Sequence, residues 1–238
     1  SAFDLICAQD AACEKRLQQL GAKPETIGAQ IALKSFYKSK SIQAEHASRQ
    51  NTWLAASTHD GEDEALLNAH LEALKVLPDL RMILAPRHPK RAAQIAQLAR
   101  ALGLSVALRS EGRAFNGETD VYIADTLGEM DKWYHVAGVC FVAGSLVPKG
   151  GHTPFEPAFH DCALLHGPHL ENFAEQYEAL ETHFGAQLCV NSRKIAGALI
   201  ALQNEETAST LRSNAQKALA PTQKLDAILD SLDQLAKP

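Results

Sequence analysis

Short apolar runs alternate with helix-like segments along most of this chain, and this alternation limits the possible folds more than any other feature. The apolar runs lie at residues 52–56, 81–85, 105–108, 121–124, 138–143, 163–166 and 187–190. Candidate helices follow at residues 62–76, 90–102, 127–135, 154–159, 172–183 and 192–202. Strands that alternate with helices predict an α/β fold, a Rossmann-like parallel sheet with helices on both faces.

Composition and charge exclude several classes of protein. Hydrophobic residues make up 46% of the 238 residues, which is enough for a sizeable buried core. The formal net charge of -5 lacks the basic excess that general nucleic-acid binding requires. The longest apolar runs are too short to span a bilayer. The five cysteines contain no C-x-x-C pair, so we interpret them as reduced, small core residues rather than a disulfide framework.

Two regions flank the alternating segment, and we predict three parts: residues 1–45, 46–220 and 221–238. The chain runs from Ser1 straight into an apolar segment at 3–8, so we expect it to be a fragment of a longer protein. Residues 221–238 carry leucine or isoleucine at 225, 228, 229, 232 and 235. That spacing predicts an amphipathic helix that buries one face.

Polar or glycine-rich loops follow five of the predicted strands. They comprise residues 57–62, 86–89, 125–129, 144–156 and 167–172. The carboxyl ends of parallel strands lie along one edge of the sheet, and ligands bind in the crevice there. We therefore expect the five loops to form one site.

The loop Ser57-Thr-His-Asp-Gly-Glu62 joins a strand to a helix. Gly61 permits close approach of the backbone to a ligand, and free N–H groups at a helix start suit a phosphate or carboxylate. The alternative is a simple helix cap, in which Ser57, Thr58 or Asp60 satisfies those N–H groups.

Arg87 ends the next strand, where its guanidinium could hold a phosphate or carboxylate through two parallel hydrogen bonds. The alternative is a surface arginine on a turn. The later segment Asp125-Thr-Leu-Gly-Glu129 is also ambiguous. Asp125 or Thr126 could only cap a helix, and Glu129 could bind donor hydroxyls or be a solvated acid of the first turn.

The segment Gly144–Pro157 carries the strongest signal. Gly150 and Gly151 expose backbone N–H groups, Lys149 and His152 add donors, and Glu156 could accept hydrogen bonds from ribose hydroxyls. No Gly-Lys-Ser/Thr closes the segment, so it is not a Walker A loop. A glycine-rich turn followed by a capping glutamate is the alternative interpretation.

Three other chemistries are disfavoured. Cys162 and His166 lie at the two ends of a predicted strand, about 13 Å apart at about 3.3 Å per residue, which argues against a shared zinc ion. We expect no metal, and we expect His166 and His169 to flank the ligand crevice. No G-x-G-x-x-G follows the first strand and no G-x-S-x-G is present, which argues against a nicotinamide cofactor and a serine hydrolase.

The segments together resemble the motifs of the 3-deoxy-D-manno-octulosonic acid (Kdo) transferases, inverting glycosyltransferases of the two-domain GT-B fold. The string Gly144–Pro157 resembles the family's donor motif G-G-S-L-V-P-x-G-G-H-N-P-L-E-P, with Ala143, Thr153 and Phe155 at the positions that differ. Residues 56–62, 87–89, 125–129 and 167–173 match further motifs in the family's order, over about residues 51–200. Residues 4–10 and 20–22 resemble the end of the family's N-terminal domain.

The resemblance implies that residues 46–220 are the donor-binding domain, the C-terminal half of a GT-B enzyme. Residues 1–45 would be a remnant of the N-terminal domain and the crossover between domains. The positions that we predict to bind the donor CMP-Kdo are Ser57, Thr58, His59, Gly61, Arg87, Asp125, Thr126, Gly128, Glu129, Gly144, Ser145, Lys149, Gly150, Gly151, His152, Thr153, Glu156 and Asn172. Arg87 would hold the phosphate or the Kdo carboxylate and stabilise the leaving charge, Asp125–Glu129 would lie along CMP, and Glu156 would bind the ribose.

The resemblance also implies the setting of the whole enzyme. CMP-Kdo would be the donor and a lipid A precursor the acceptor, in lipopolysaccharide biosynthesis at the cytoplasmic face of the inner membrane of a Gram-negative bacterium. The general base and the membrane-associating start would belong to the N-terminal domain, so the fragment would bind CMP or CMP-Kdo but transfer nothing. We expect no cofactor, no metal and no nucleic acid. Two alternatives stay open: another GT-B transferase or an epimerase that uses a UDP-sugar, and a non-catalytic domain that docks through the amphipathic tail.

Overall fold

The computed structural model describes residues 3–37 and 49–221, and the chain divides into two compact units. One unit comprises Ser1–Lys38 with Ala220–Pro238, and the other comprises Ser39–Leu219. The amphipathic helix predicted at 221–238 falls almost entirely outside the described residues. Among those residues, no helix combines the length and apolar character needed to cross a membrane.

Within residues 3–37, the described part of the first unit has one α-helix between two extended segments. Helix α1 spans Ala11–Gln19, and Asp10 caps it by accepting a hydrogen bond from the Cys13 backbone N–H at 2.7 Å. Ile6 and Ile27 form a parallel bridge across the two segments. The sequence patterns did not predict this helix, whose only large apolar side chain is Leu17 and in which no residue is buried.

The second unit is built on a seven-stranded sheet in which all the strand pairs are parallel. Its strands are β1 Thr52–Thr58, β2 Arg81–Pro86, β3 Val106–Leu108, β4 Val121–Ile123, β5 Val139–Val142, β6 Ala163–His166 and β7 Ala186–Leu188. Its helices are α2 Asp63–Leu74, α3 Ala92–Ala101, α4 Met130–Val136, α5 Phe155–Phe159, α6 Ala174–Thr182, α7 Ser192–Ala201 and α8 Glu205–Ala218.

The predicted strands and helices of this unit are confirmed, with small shifts at their ends. The predicted strand at 187–190 lies at Ala186–Leu188, at the sheet edge, and Val190 is 51% exposed. Helix α8 was not predicted, because only Ala208 and Ala215 are buried along its polar sequence. Asn204 caps that helix by accepting from the Thr207 backbone N–H at 3.0 Å.

The inner strands of the sheet are buried on both faces, as expected for parallel strands covered by helices. Trp53 and Ala55 of β1 belong to one core cluster with side chains of α2, α3 and α7. Leu54, which lies between them in sequence and faces the other way, is equally buried but lies outside that cluster. Three cysteines are buried in this unit as predicted, whereas Cys7 is exposed and Cys13 is only half-buried.

Candidate functional site

The site predicted from the loops lies at the carboxyl edge of the sheet. The strand order is β3-β4-β2-β1-β5-β6-β7, so the strands that precede the five loops are five adjacent strands. The winding direction reverses between β1 and β5, because β2 lies on one side of β1 and β5 on the other. Such a switch point is where open α/β sheets form a ligand crevice.

Buried and partly buried side chains hold the loop after β1 in place through hydrogen bonds. Ser57 has a positive φ of 61°, and the register between β1 and β2 shifts between Ala56 and Thr58. The Thr58 hydroxyl donates to Asp63 Oδ1 at 2.8 Å. Arg91 donates to the Thr58 carbonyl at 3.0 Å and pairs with the Asp63 carboxylate. Burial raises the pKa of Asp63 above its ordinary value, against the opposing effects of the Thr58 hydroxyl and Arg91.

The simple cap that was the alternative interpretation of this loop is wrong. Helix α2 has Glu62 at its N-cap position, and no side chain makes a capping hydrogen bond there. Glu62 is fully buried and accepts from four backbone N–H groups. These are His59 at 2.8 Å, Gly144 at 2.8 Å, Ser145 at 3.1 Å and Leu146 at 3.0 Å.

Two predicted histidines meet across the switch point. His59 Nε2 and His152 Nε2 are 2.9 Å apart, and their rings are stacked with centroids 5.1 Å apart. One Nε2 must donate and the other accept, so this contact holds a single proton between the rings. Burial lowers the pKa of His59; Glu62 opposes the shift, while Lys149, His88 and Arg91 add to it. His59 is therefore mainly uncharged at neutral pH.

The glycines of the loop after β5 are required by their surroundings. Gly144 has φ 71°, and a Cβ there would lie 3.0 Å from His152 Cδ2. Gly150 has φ 82°, and its Cβ would lie 2.5 Å from Asn172 Nδ2. Asn172 itself donates to the Lys149 carbonyl at 2.9 Å, so it joins the loop after β6 to this loop. Gly151 (φ 73°) donates its N–H to the Gly144 carbonyl at 2.8 Å.

Ser145 holds the same two loops together from the inside. Its hydroxyl donates to the Val142 carbonyl at 2.6 Å and accepts from the Gly167 N–H at 2.8 Å. Ser145 and Thr58 are both fully buried, so their side chains support the loops from beneath and do not face solvent. His166, which we expected to flank the crevice, is also buried, and its ring lies 4.9 Å from that of Tyr177.

The loop after β4 is hydrogen-bonded to the segment that follows β3. Arg109 donates to both carboxylate oxygens of Glu129, and the Thr126 hydroxyl donates to the same carboxylate. The Arg109 hydrogen bond lowers the pKa of Glu129, and Glu129 raises the pKa of Arg109. Asp125 accepts from the Ser110 backbone N–H at 2.9 Å. Both predicted acids are thus engaged within the chain, while Gly128 stands in open space with φ 81°.

The remaining predicted residues lie in the loops after β1, β2 and β5 and at the start of α5. Arg87 and Lys149 are exposed, and the Arg87 backbone N–H donates to the Thr58 carbonyl at 3.0 Å. Gly61 has φ 91° and packs against Val147, with a Cβ there at 3.2 Å from Val147 Cγ1. Thr153 Oγ1 is buried and has no hydrogen-bond partner among the residues that the structure describes. Glu156 is half-buried in the first turn of α5.

Sequence reasoning missed Glu62, Arg91 and Arg109. Glu62 and Arg91 lie in or beside a predicted loop, and Arg109 follows the predicted strand at 105–108. Each is a charged residue whose sequence position is typical of a solvated surface. Their structural roles become visible only in the folded chain, where Glu62 binds backbone N–H groups and each arginine pairs with a carboxylate. For the described residues, no group of three or more His, Cys, Asp or Glu side chains is arranged to hold a metal ion.

A solved structure decides the family. The crystal structure of the C-terminal CMP-Kdo binding domain of WaaA from Acinetobacter baumannii matches this chain with a TM-score of 0.68 and 31% sequence identity. The match covers 73% of this chain and 91% of that one. This chain belongs to the Kdo transferase family. Its parallel sheet and helices form the C-terminal domain of the GT-B type.

Named Kdo transferases show the same relationship. The enzyme of Haemophilus influenzae is 34% identical over 188 residues, which are 76% of this chain and 44% of that protein. A probable mitochondrial enzyme of Arabidopsis thaliana is 34% identical over 194 residues and is covered to 43%. The chain therefore spans less than half the length of these relatives.

More distant structures share the fold alone. HepE from Anabaena, solved with UDP and glucose, has a TM-score of 0.61 at 13% identity and covers 98% of this chain and 63% of that one. No family model matches the chain.

Proposed function

We propose that this chain is the donor-binding domain of a Kdo transferase and that it binds CMP-Kdo at the carboxyl edge of its sheet. One observation carries the proposal: the loops of β1 and β5 meet at the switch point through Glu62 and the His59–His152 contact. This arrangement occurs in a chain whose solved relative is a CMP-Kdo binding domain.

The exposed cations provide the chemistry that an anionic donor needs. In an inverting transfer, an acceptor oxygen bonds to the anomeric carbon of Kdo as the bond from that carbon to the phosphate oxygen breaks. CMP leaves with the electron pair, and the acceptor proton passes to a general base, which we place in the N-terminal domain of the whole enzyme. Arg87 and Lys149 would stabilise the charge that grows on the CMP phosphate.

The remaining positions would orient the nucleotide and sugar. Glu156 offers a carboxylate to the ribose hydroxyls, and Gly150 and His152 present backbone and ring donors beside it. Thr153 Oγ1 is buried and has no hydrogen-bond partner in the described part of the chain. In this proposal it forms a hydrogen bond with an oxygen atom of CMP-Kdo. In this proposal no metal and no cofactor takes part in donor binding.

The acceptor and location are proposed for the whole enzyme. We infer that it transfers Kdo to a lipid A precursor in lipopolysaccharide biosynthesis at the cytoplasmic face of the inner membrane of a Gram-negative bacterium. The relatives are named as Kdo transferases, which supports Kdo as the transferred sugar. We infer that this chain alone binds donor and transfers nothing.

Titration calorimetry with CMP and with UDP tests the proposal. We expect CMP to bind and UDP to bind at least tenfold more weakly. Loss of Arg87 in Arg87→Ala should weaken CMP binding about 10- to 100-fold, the effect of one charge-assisted hydrogen bond.

The matched control is Arg100→Ala, which removes the same charge from the end of α3 at the opposite edge of the sheet. It should leave CMP affinity unchanged. Tighter binding of UDP than of CMP would favour a UDP-sugar enzyme. Absence of binding to either nucleotide would favour a non-catalytic docking domain.

A further inference from the structure

A buried carboxylate lies between the two loops that form the switch-point crevice. Glu62 is 0% exposed, although it opens a helix and has polar residues on both sides in sequence. Charged side chains are almost never fully buried unless they are paired. The burial of Glu62 therefore requires partners that compensate its charge.

The partners of Glu62 come from both sides of the crevice. Its Oε2 accepts from the His59 and Gly144 N–H groups, each at 2.8 Å. Its Oε1 accepts from the Ser145 and Leu146 N–H groups at 3.1 Å and 3.0 Å. The last three donors lie 82, 83 and 84 residues further along the chain.

Successive backbone N–H groups such as those of Gly144–Leu146 form a nest that binds anions. In this chain an internal carboxylate fills the nest. Arg91, in the turn before α3, pairs with Asp63 instead of with Glu62. The N–H groups of the two loops are thus the partners that compensate the buried charge of Glu62, and they are not open to a ligand phosphate.

The same bonds set the distance between the two loops. His59 follows Thr58 in the first loop, and Gly144 packs against the His152 ring in the second. With Glu62 holding the backbone of His59 and Gly144, the two imidazoles meet at 2.9 Å between their Nε2 atoms.

We propose that Glu62 is a positioning residue for the donor site: its carboxylate stands in for an anion in the Gly144–Leu146 nest and fixes the β1 and β5 loops in the geometry that binds the nucleotide. This inference rests on the proposed function of the site. It also predicts that the donor phosphate binds outside this nest, toward Arg87 and Lys149.

Glu62→Gln tests the proposal because the side chain keeps its size and loses its charge. An amide has one oxygen and one NH₂ group, so either orientation directs a donor at two backbone N–H groups. Glu62→Asp keeps the charge but shortens the arm by one methylene. Glu64→Gln is the matched control, since Glu64 is an exposed acid in the same helical turn.

Two readouts separate positioning from general stability. Urea unfolding first identifies a temperature at which each variant is folded. Titration calorimetry at that temperature then measures the CMP affinity. NMR follows the imidazole signals of His59 and His152. We expect at least tenfold weaker CMP binding and shifted imidazole signals in Glu62→Gln, an intermediate affinity in Glu62→Asp, and wild-type behaviour in Glu64→Gln.

Wild-type CMP affinity in a folded Glu62→Gln, or equal losses in Glu62→Gln and Glu64→Gln, would overturn the inference. If Glu62→Gln does not fold, Glu62→Asp decides by the same two readouts, and unchanged affinity with unchanged imidazole signals would overturn it. Failure of the wild type to bind CMP counts against the proposed function instead. In that case the imidazole signals of Glu62→Asp alone test the link between Glu62 and the histidine contact.

Discussion

At the scale of single residues, the candidate site has two layers. The lower layer consists of buried polar groups, such as Thr58, Glu62 and Ser145, whose hydrogen bonds are made within the chain. The upper layer consists of exposed cations, Arg87 and Lys149. The lower layer holds the loops in place, and the upper layer is available to an anionic ligand.

A buried histidine of helix α2, His70, makes the stability of the protein depend on pH. His70 accepts from Trp53 Nε1 at its Nδ1, 3.1 Å away, so its Nε2 carries the proton donated to the Asp120 carbonyl at 3.0 Å. Burial lowers the pKa of His70 from 6.5 to about 4. A second proton would have no acceptor.

We therefore predict that protonation of His70 opposes folding in acid. Above pH 6.5 both states hold a neutral imidazole, so His70 adds no pH dependence. As pH falls from 6.5 to about 4, the unfolded state binds a proton that the folded state does not. The free energy of unfolding should fall by about 1.4 kcal/mol per pH unit, about 3 kcal/mol in all.

Urea unfolding followed by tryptophan fluorescence between about pH 7.5 and about pH 4 measures this slope. His70→Gln should reduce the slope by about 1.4 kcal/mol per pH unit, the share of this one group, whereas His183→Gln, at an exposed histidine, should leave the slope unchanged. Equal slopes in wild type and His70→Gln would contradict the prediction.

Residue types at the site were predictable from sequence, but their orientation was not. Ser57, His59 and His152 could be chosen because they follow predicted strands. The burial of Glu62 depends on N–H groups more than 80 residues away, and no local pattern carries that information. For the same reason, Arg109 could not be recognised as the partner of Glu129.

At the scale of elements, the glycine-rich loop after β5 is held by contact with the loop after β6. Gly150 and Gly103 provide a matched pair, since both have φ of 82°. A Cβ at Gly103 would meet nothing within 4 Å, whereas a Cβ at Gly150 would lie 2.5 Å from Asn172 Nδ2.

Gly103→Ala should cost about 1 kcal/mol of stability, the backbone strain of a left-handed residue, without affecting CMP affinity. Gly150→Ala should cost more, because it must also displace Asn172 from the Lys149 carbonyl. It should also weaken CMP binding several-fold. Urea unfolding and calorimetry measure both effects, and equal results for the two variants would show that the Asn172 contact does not matter.

Elements with a strong apolar pattern were predicted, and those without one were missed. The strands of the sheet have continuous buried runs, such as Val139–Val142. Helix α8 has a polar sequence and a capping Asn204, and its only buried side chains are alanines. Its stability comes from packing against elements such as α6 and β6, which a local reading of the sequence does not include.

At the scale of the whole molecule, the order of the strands brings the loops together. Alternation of strands and helices predicted one sheet edge, but the sequence did not specify which strands are neighbours. The observed order places β4, β2, β1, β5 and β6 side by side, so their loops share one rim. The chain covers 44% of the Haemophilus relative, so this rim belongs to a domain that spans less than half of that protein's length.

Donor binding by this domain should not depend on a divalent cation. The proposal assigns charge compensation to Arg87 and Lys149, which require no ion. CMP affinity measured in EDTA should agree with that in Mg²⁺ within about twofold, the reproducibility of such titrations. A loss of more than about tenfold in EDTA would show that a metal completes the site.

The crystal structure of this chain with CMP would test the central claim most directly. We predict CMP at the carboxyl edge of the sheet between the loops of β1 and β5, with its phosphate near Arg87 and Lys149 and its ribose near Glu156. Glu62 should keep its four backbone hydrogen bonds. CMP bound anywhere else on the molecule, away from these loops, would contradict the account.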